Sequence, residues 1–225
     1  MSTRRKFAQS LFFICAVGSS TSSKADQAFS LKGDDGGSLD NFRLPAELDP
    51  AQLPGIVWKG AKTADSIIYE FFDYNCGYCR QAAHGLDRLL GQDSGLRLGL
   101  VNNPILSGGS VQVAKIQQAI LRLHGPELAY DFHMKMFVRH GQATGPAALE
   151  VARSMRLDAG KIEESADSAM VAEVLSRQVH LAGNAGMVMT PSFVLVGAAI
   201  LGWPGEGSLR EMIVASRKCD HPVCH

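Results

Sequence analysis

Residues 67–79 of this chain read IIYEFFDYNCGYC, and this stretch decides the fold. Five of the first six residues are apolar or aromatic, and the stretch lies between turn formers, a pattern typical of a buried strand. A helical pattern follows from about Arg80 to Leu90, so the two cysteines stand where a strand passes into a helix. Unpaired N–H groups and the positive end of the helix dipole stabilise a thiolate at that place. We therefore predict that Cys76 is a nucleophile and that Cys79 resolves the mixed disulfide it forms.

The same C-x-x-C spacing also occurs in structural disulfides and as half of a zinc site. Two features of the sequence favour a redox pair over both alternatives. An apolar strand leads directly into the motif, and the chain contains no second C-x-x-C.

Length and composition are those of a globular protein with an adequate core. Of the 225 residues, 46% are hydrophobic and 20% are charged, which is ordinary for a soluble domain. The chain has 22 basic and 22 acidic residues, and removal of the first 25 residues leaves 18 basic against the 22 acidic. Such a mildly acidic protein has no electrostatic basis for binding nucleic acid or an anionic membrane.

The first 25 residues have the features of an export signal. Arg4-Arg5-Lys6 is a basic region, residues 7–18 form a short apolar stretch, and Ser23-Lys24-Ala25 offers small residues for cleavage. About a dozen apolar-biased residues are too few to span a bilayer stably. We predict export to the periplasm, by the Sec or the twin-arginine route, without stable membrane insertion. Cys15 would be removed with this leader, leaving four cysteines.

The pattern along the chain predicts an α/β fold. Residues 26–55, rich in Gly, Asp, Ser and Pro, are predicted to be a flexible arm with one short helix near 46–52. Residues 56–225 form the predicted domain, with strands near 56–58, 67–72 and 96–101. Helical patterns fill about 110–186, and a hairpin at 192–201, a helix at 208–217 and a cysteine-containing tail follow.

This order of elements resembles the DsbA-like branch of the thioredoxin superfamily. The residues that carry the resemblance are EFFDYNCGYC at 70–79 and MTPSF at 189–193, and the likeness covers about 56–217. It implies a thioredoxin fold with a helical insertion and a protein disulfide oxidoreductase or isomerase that needs no organic cofactor. The implied partners are thiols and disulfides of exported proteins and a membrane redox protein that recycles the C-x-x-C.

The resemblance leaves the direction of the reaction open. The dipeptide Gly77-Tyr78 and the residue Thr190 resemble the isomerases more than the oxidase DsbA, whose dipeptide contains a histidine. The roughly 40 residues before the domain are, however, short for a DsbC-type dimerisation module. Oxidase, reductase and isomerase therefore all remain open, as does the oligomeric state.

The resemblance also implies roles for individual residues. Glu70 matches a buried acid that moves the proton of the resolving cysteine, although an edge position facing water would also explain it. Pro191 matches a cis-proline packed against the C-x-x-C, the alternative being an ordinary trans proline at a strand start. Thr190 is implied to offer backbone groups to a substrate strand, and we assign Gly77 and Tyr78 with it to substrate binding.

The tail residues Cys219 and Cys224 allow three interpretations. We favour a structural disulfide, because the predicted compartment is oxidising. Together with His221 and His225 they also have ligand types that suit zinc or copper, and a second redox relay is the third possibility.

The alternative function is therefore a periplasmic carrier of a soft metal such as copper. A further alternative is a binding module whose cysteines are only staples. The histidines of the insert share no metal spacing, and we predict no metal site.

Overall fold

The computed structural model of the protein describes residues 28–224. The predicted leader (residues 1–25), with Cys15, and the C-terminal His225 lie outside the described residues.

A six-stranded mixed sheet forms the centre of the molecule. Its strands, in chain order, are β1 (Asn41–Arg43), β2 (Val57–Gly60), β3 (Ser66–Phe72), β4 (Leu96–Asn102), β5 (Ser192–Leu195) and β6 (Ala198–Leu201). Their order across the sheet is β1-β6-β5-β3-β4-β2. Strands β3 and β4 run parallel, and the other neighbouring pairs are antiparallel. The strand that leads into the cysteine motif thus lies inside the sheet, with a partner on each side.

Seven α-helices are present in the part of the chain that the structure describes. They are α1 (Gly77–Gln92), α2 (Gly108–His124), α3 (Pro126–Val138), α4 (Gly145–Ser154), α5 (Ala159–Ala166), α6 (Ala169–Asn184) and α7 (Glu206–Cys219). Helices α2 to α6 lie between β4 and β5, so the predicted α/β fold with a helical insertion is confirmed. None of the described helices is long and apolar enough to cross a membrane.

The side chains of β3 contribute to two separate core layers, because successive side chains of a strand point to opposite faces of the sheet. Ile68 and Phe72 belong to a large core with buried residues of α1, α3 and α7. Tyr69 and Phe71 belong to a smaller core that includes Ala182 of α6. The Glu70 side chain points to the same face of the sheet as those of Ile68 and Phe72, which places its carboxyl group beneath α1.

The predicted flexible arm is wrong for residues 28–55. Strand β1 pairs with β6 at the edge of the sheet, and two short 3-10 helices, Ala46–Leu48 and Pro50–Gln52, replace the single predicted helix. Phe29 and Leu31 are buried in the large core. The composition of the arm hid these features, since its few apolar residues are covered by elements from the far end of the chain.

A side chain of the arm also caps the last helix. The Asp34 carboxylate accepts hydrogen bonds from the backbone N–H groups of Gly207 (3.1 Å) and Ser208 (2.6 Å) and from the Ser208 hydroxyl (2.8 Å). These bonds satisfy N–H groups that the first turn of α7 leaves without helical partners. The hydrogen bond from the Ser208 side chain is the main reason that the pKa of Asp34 is lowered.

Candidate active site

Cys76 stands at the junction between β3 and α1, as the N-cap residue of the helix. Its backbone is extended (φ −89°, ψ 121°), and its carbonyl accepts the first helical hydrogen bond, from the Arg80 N–H. The backbone N–H of Cys79 points at the Cys76 sulfur at 3.4 Å. The sulfur therefore occupies the place where a helix usually holds a capping oxygen.

This position makes the Cys76 thiol acidic. Its pKa is lowered from 9.0 to about 6. The largest cause is a hydrogen bond with the Cys79 side chain. Burial opposes it by raising the pKa, and hydrogen bonds from the Thr190 side chain and the backbone N–H groups of Cys79 and Tyr78 lower the pKa further. A large fraction of Cys76 is therefore thiolate at neutral pH, and the thiolate is the nucleophilic form.

Cys79 and Glu70 are completely buried beneath Cys76. Burial is the main reason that the pKa of Cys79 is raised, with further contributions from the hydrogen bond to Cys76 and from the charge of Glu70. The pKa of Glu70 is raised well above its usual range by burial and then by the charge of Cys76. Neither carboxyl oxygen of Glu70 has a hydrogen-bond partner among the described residues. The alternative of an edge position facing water is therefore wrong, and a buried acid lies within electrostatic reach of both sulfurs.

The loop before β5 closes the other side of Cys76. The peptide bond between Thr190 and Pro191 is cis, and Pro191 is buried. The Cys76 thiol donates a hydrogen bond to the Thr190 carbonyl oxygen at 3.1 Å. Residues 115 positions apart in the sequence are thus brought together around one sulfur.

Five large apolar side chains are exposed on the two loops beside Cys76 and within the motif. We call them the apolar rim: Tyr78, Ile105, Leu106, Val188 and Met189, between 42% and 73% exposed. The Asn103 side chain joins the two loops by donating to the Met187 carbonyl oxygen at 3.0 Å. The rim places uncovered apolar surface next to the reactive sulfur.

The family model for the DSBA-like thioredoxin domain matches residues 67–213, from the start of the central strand into the last helix. This chain belongs to the DsbA-like thioredoxin family. The match covers both parts of the site, the cysteine motif and the cis-proline loop. No curated protein is similar enough to the chain to count as a match.

Solved structures support the same family. A thioredoxin-like oxidoreductase from Silicibacter pomeroyi DSS-3 is 30% identical, with a TM-score of 0.69, over 74% of this chain and 94% of that one. The thiol-disulfide exchange protein alpha-DsbA2 from Wolbachia pipientis is 20% identical, with a TM-score of 0.66, over 71% and 86%. BdbD from Bacillus subtilis is 18% identical, with a TM-score of 0.66, over 84% and 98%. The last two similarities show the fold alone.

Sequence reasoning missed the polar side chains that fix the loop before Cys76. The Asp73 carboxylate accepts hydrogen bonds from the Asn75 N–H (2.7 Å), the Ser110 hydroxyl (2.6 Å) and the Leu106 N–H (2.9 Å). A signal was available, because Asp and Asn between a strand and a helix favour turns closed by their own side chains. The contacts of Arg80 were also missed, since its guanidinium binds carbonyl oxygens at the end of α3.

His133 packs among aromatic rings between α3 and β3. Its ring centroid lies 4.7 Å from that of Phe72 and 5.7 Å from that of Tyr74. Burial lowers the pKa of His133 to about 3, so the imidazole is neutral at physiological pH. Its role in this family member is packing within the large core.

The two tail cysteines lie away from this site. Cys219 is the last residue of α7, and its sulfur is bonded to that of Cys224, with the two Cα atoms 6.0 Å apart. Val223 packs against the large core, and the His221 ring lies 6.1 Å from the Phe29 ring. Among residues 28–224 no group of three or more His, Cys, Asp or Glu side chains has a metal-binding arrangement.

Proposed function

We propose that this protein is a periplasmic thiol-disulfide oxidoreductase that exchanges disulfides with exported polypeptides through Cys76 and Cys79. The single observation that carries the proposal is the opposite perturbation of the two thiols. The pKa of Cys76 is lowered to about 6, whereas burial raises that of Cys79. One sulfur is thus prepared for attack at neutral pH, and the other stays protonated until a mixed disulfide has formed.

The first step is attack on a substrate disulfide. The Cys76 thiolate forms a bond to one substrate sulfur, the substrate disulfide breaks, and the other substrate sulfur leaves as a thiolate. The Cys79 N–H and the Thr190 loop stabilise the attacking anion before the step. The peptide groups beside Pro191 align an extended substrate segment in the manner of an added strand.

The second step needs the proton of Cys79 to leave. Its thiol gives the proton to the Glu70 carboxylate and attacks the Cys76 sulfur, expelling the second substrate thiolate. Cys76–Cys79 is then oxidised, and the substrate has gained two electrons. In the reverse direction a substrate thiolate attacks Cys76, and Cys79 leaves and takes its proton from Glu70. A buried carboxyl group with a raised pKa is suited to exchange a proton in both directions.

Oxidation of substrates is the direction that the site favours. A low pKa at Cys76 stabilises the reduced, thiolate form of the pair, which makes its disulfide a better oxidant. A membrane redox protein would then return the pair to the disulfide. Isomerase activity would use the same first step, and the resemblance of Gly77-Tyr78 and Thr190 to the isomerases is the observation in its favour.

The apolar rim supports an unfolded polypeptide as substrate. Exposed Tyr78 and Met189 flank the sulfur on two sides, and unfolded chains present apolar segments that folded ones bury. Export to the periplasm is supported by the leader pattern of residues 1–25. An oxidising compartment also suits a chain that carries a second disulfide.

The test of this function is the substitution Cys76→Ser. We expect it to abolish reduction of insulin disulfides and oxidation of a reduced model substrate, because a serine hydroxyl forms no mixed disulfide. Cys79→Ser is the matched variant. It should retain attack but accumulate the mixed disulfide with substrate, detectable by mass spectrometry. Undiminished activity of Cys76→Ser would contradict the proposal.

A further inference from the structure

Two side chains that bracket the cysteine motif bind the same segment of the helical insertion. Asn75 precedes Cys76, and Arg80 follows Cys79. Both reach residues 137–143, which end α3 and lead toward α4, and which we call the insert loop. No part of the proposed chemistry uses either side chain directly.

Asn75 binds both backbone groups of one residue of the insert loop, Ala143. Its Oδ1 atom accepts a hydrogen bond from the Ala143 N–H at 2.8 Å, and its Nδ2 donates to the Ala143 carbonyl oxygen at 3.0 Å. The Nδ2 group also lies 3.1 Å from the Ser107 hydroxyl and 3.0 Å from the Ser110 hydroxyl, at the start of α2. The residue beside the nucleophile is therefore held by two separate elements of the insertion.

Arg80 holds the other side of the motif. Its guanidinium donates to the Phe137 carbonyl oxygen and to the Arg139 carbonyl oxygen, the second at 2.8 Å. Carbonyl groups at the end of a helix lack helical partners and carry negative partial charge. A planar guanidinium can bind two of them at once, which a lysine ammonium does less well.

The geometry that these contacts protect is a hydrogen bond to the Cys76 sulfur. The Cys79 N–H lies 3.4 Å from the Cys76 sulfur, and both residues belong to the first turn of α1, where helices fray most readily. A small rotation of this turn would remove an N–H group from the sulfur. Tethers on both sides of the motif, to one loop, restrict such a rotation.

We propose that Asn75 and Arg80 are positioning residues, through which the insert loop holds the first turn of α1 so that its N–H groups face the Cys76 sulfur. This inference rests on the proposed function and adds a task for the helical insertion. Through these two side chains, the insertion sets the reactivity of Cys76.

The test is a titration of the Cys76 thiolate by its ultraviolet absorbance in Asn75→Ala and Arg80→Lys. We expect the pKa of Cys76 to rise by about one unit in each variant, so that the thiolate fraction at pH 6 falls about fivefold, from about half to about a tenth. Arg80→Lys keeps the positive charge, so a rise there reflects lost geometry. Exchange with substrate should slow in parallel at pH 6.

The matched control is Asn41→Ala. Asn41 is also buried, and its amide makes three hydrogen bonds to backbone groups of Phe29 and Leu39, at the edge of the sheet. We expect a comparable loss of thermal stability without a change in the Cys76 pKa.

Three results are decisive. If the pKa of Cys76 is near 6 in the wild type and unchanged in both variants, this inference is overturned and the proposed function stands. The same conclusion follows if the pKa of Cys76 rises equally in Asn41→Ala. A wild-type pKa near 9 would overturn the proposed function itself. If Asn75→Ala does not fold, Arg80→Lys decides alone.

Discussion

The two cysteine pairs of this protein lie at opposite kinds of helix end. Cys76 is the N-cap residue of α1, where the Cys79 N–H points at its sulfur. Cys219 is the last residue of α7, where its sulfur and that of Cys224 face the Ala215 carbonyl oxygen at 3.3 and 3.7 Å. A carbonyl oxygen lies near the sulfurs of both pairs, since the Thr190 oxygen is 3.1 Å from the Cys76 sulfur. Only Cys76 also caps a helix N-terminus, where N–H groups stabilise a thiolate and its pKa is lowered to about 6. We therefore expect the position on a helix to distinguish a reactive pair from a structural one.

The two pairs are also far apart. Arg217, two residues before Cys219, binds the Asp93 carboxylate at the C-terminal end of α1 at 2.7 and 2.9 Å. Helix α1 has 16 residues, so about 24 Å of helix separates that end from Cys76. The two pairs therefore lie near opposite ends of α1, and we expect no direct exchange between them.

The largest expected difference between the pairs is in reduction potential. We expect Cys76–Cys79 to lie between about −270 and −120 mV and Cys219–Cys224 to lie below about −300 mV. A gap of about 100 mV corresponds to a factor of about 2,000 in the equilibrium constant. Equilibration with glutathione and dithiothreitol buffers, followed by differential alkylation and mass spectrometry, measures both potentials in one sample. Equal potentials would remove the distinction between helix ends.

A smaller effect is expected from Glu70→Gln, which alters only the reactive pair. Exchange at neutral pH should slow about tenfold, because the variant cannot take the proton of Cys79. The pKa of Glu70 is raised above 4.5 in the folded protein, so wild-type stability falls as the pH rises above about 4.5. The variant should therefore be the more stable protein, by a margin that grows with pH.

Asp93→Asn is the matched control at the other end of α1. The hydrogen bond from Arg217 is the main reason that the pKa of Asp93 is lowered. The Asp93 carboxylate therefore stabilises the folded protein above the pKa that Asp93 has in the unfolded chain. This stabilisation is lost as the pH falls through the lowered pKa of the folded protein. Its removal should reduce stability at neutral pH and leave exchange unchanged. An unchanged rate in Glu70→Gln, with no pH-dependent gain in stability, would contradict the role given to Glu70.

The smallest effect on catalysis is expected from Cys219→Ser combined with Cys224→Ser. Loss of a disulfide that closes six residues should lower the free energy of unfolding by about 2 kcal/mol, as measured by urea denaturation. The rate of insulin reduction should stay within about twofold of wild type. A large loss of activity in a folded double variant would show that the tail takes part in exchange after all.

The reactive pair could be predicted from sequence because its chemistry is local. A strand, two cysteines and a helix follow one another between residues 67 and 92, so the helix end that lowers the pKa of Cys76 is specified by its neighbours in the chain. The buried position of Glu70 follows from the same strand, since it shares a face with Ile68 and Phe72. Sequence pattern also predicted that about 110–186 is helical, and the five helices α2 to α6 occupy this region.

Contacts between distant segments could not be predicted in this way. The arm was expected to be flexible, yet Asp34 caps α7 from 173 positions away. The tethering of Asn75 to Ala143 spans 68 residues. Each of these residues is an ordinary polar side chain in the sequence, and its partner is brought to it only by the packing of the sheet and helices.

The sequence by itself determined which sulfur stands at the strand–helix junction, where backbone dipoles act within a few residues. Tertiary structure alone decided what holds that junction in place, how the arm is covered, and that the second pair of cysteines lies at the far end of α1. The physical reason is the separation along the chain over which each kind of interaction acts. Helix-end electrostatics are encoded by adjacent residues, whereas side-chain hydrogen bonds and burial depend on which remote segments the fold brings within about 3 Å.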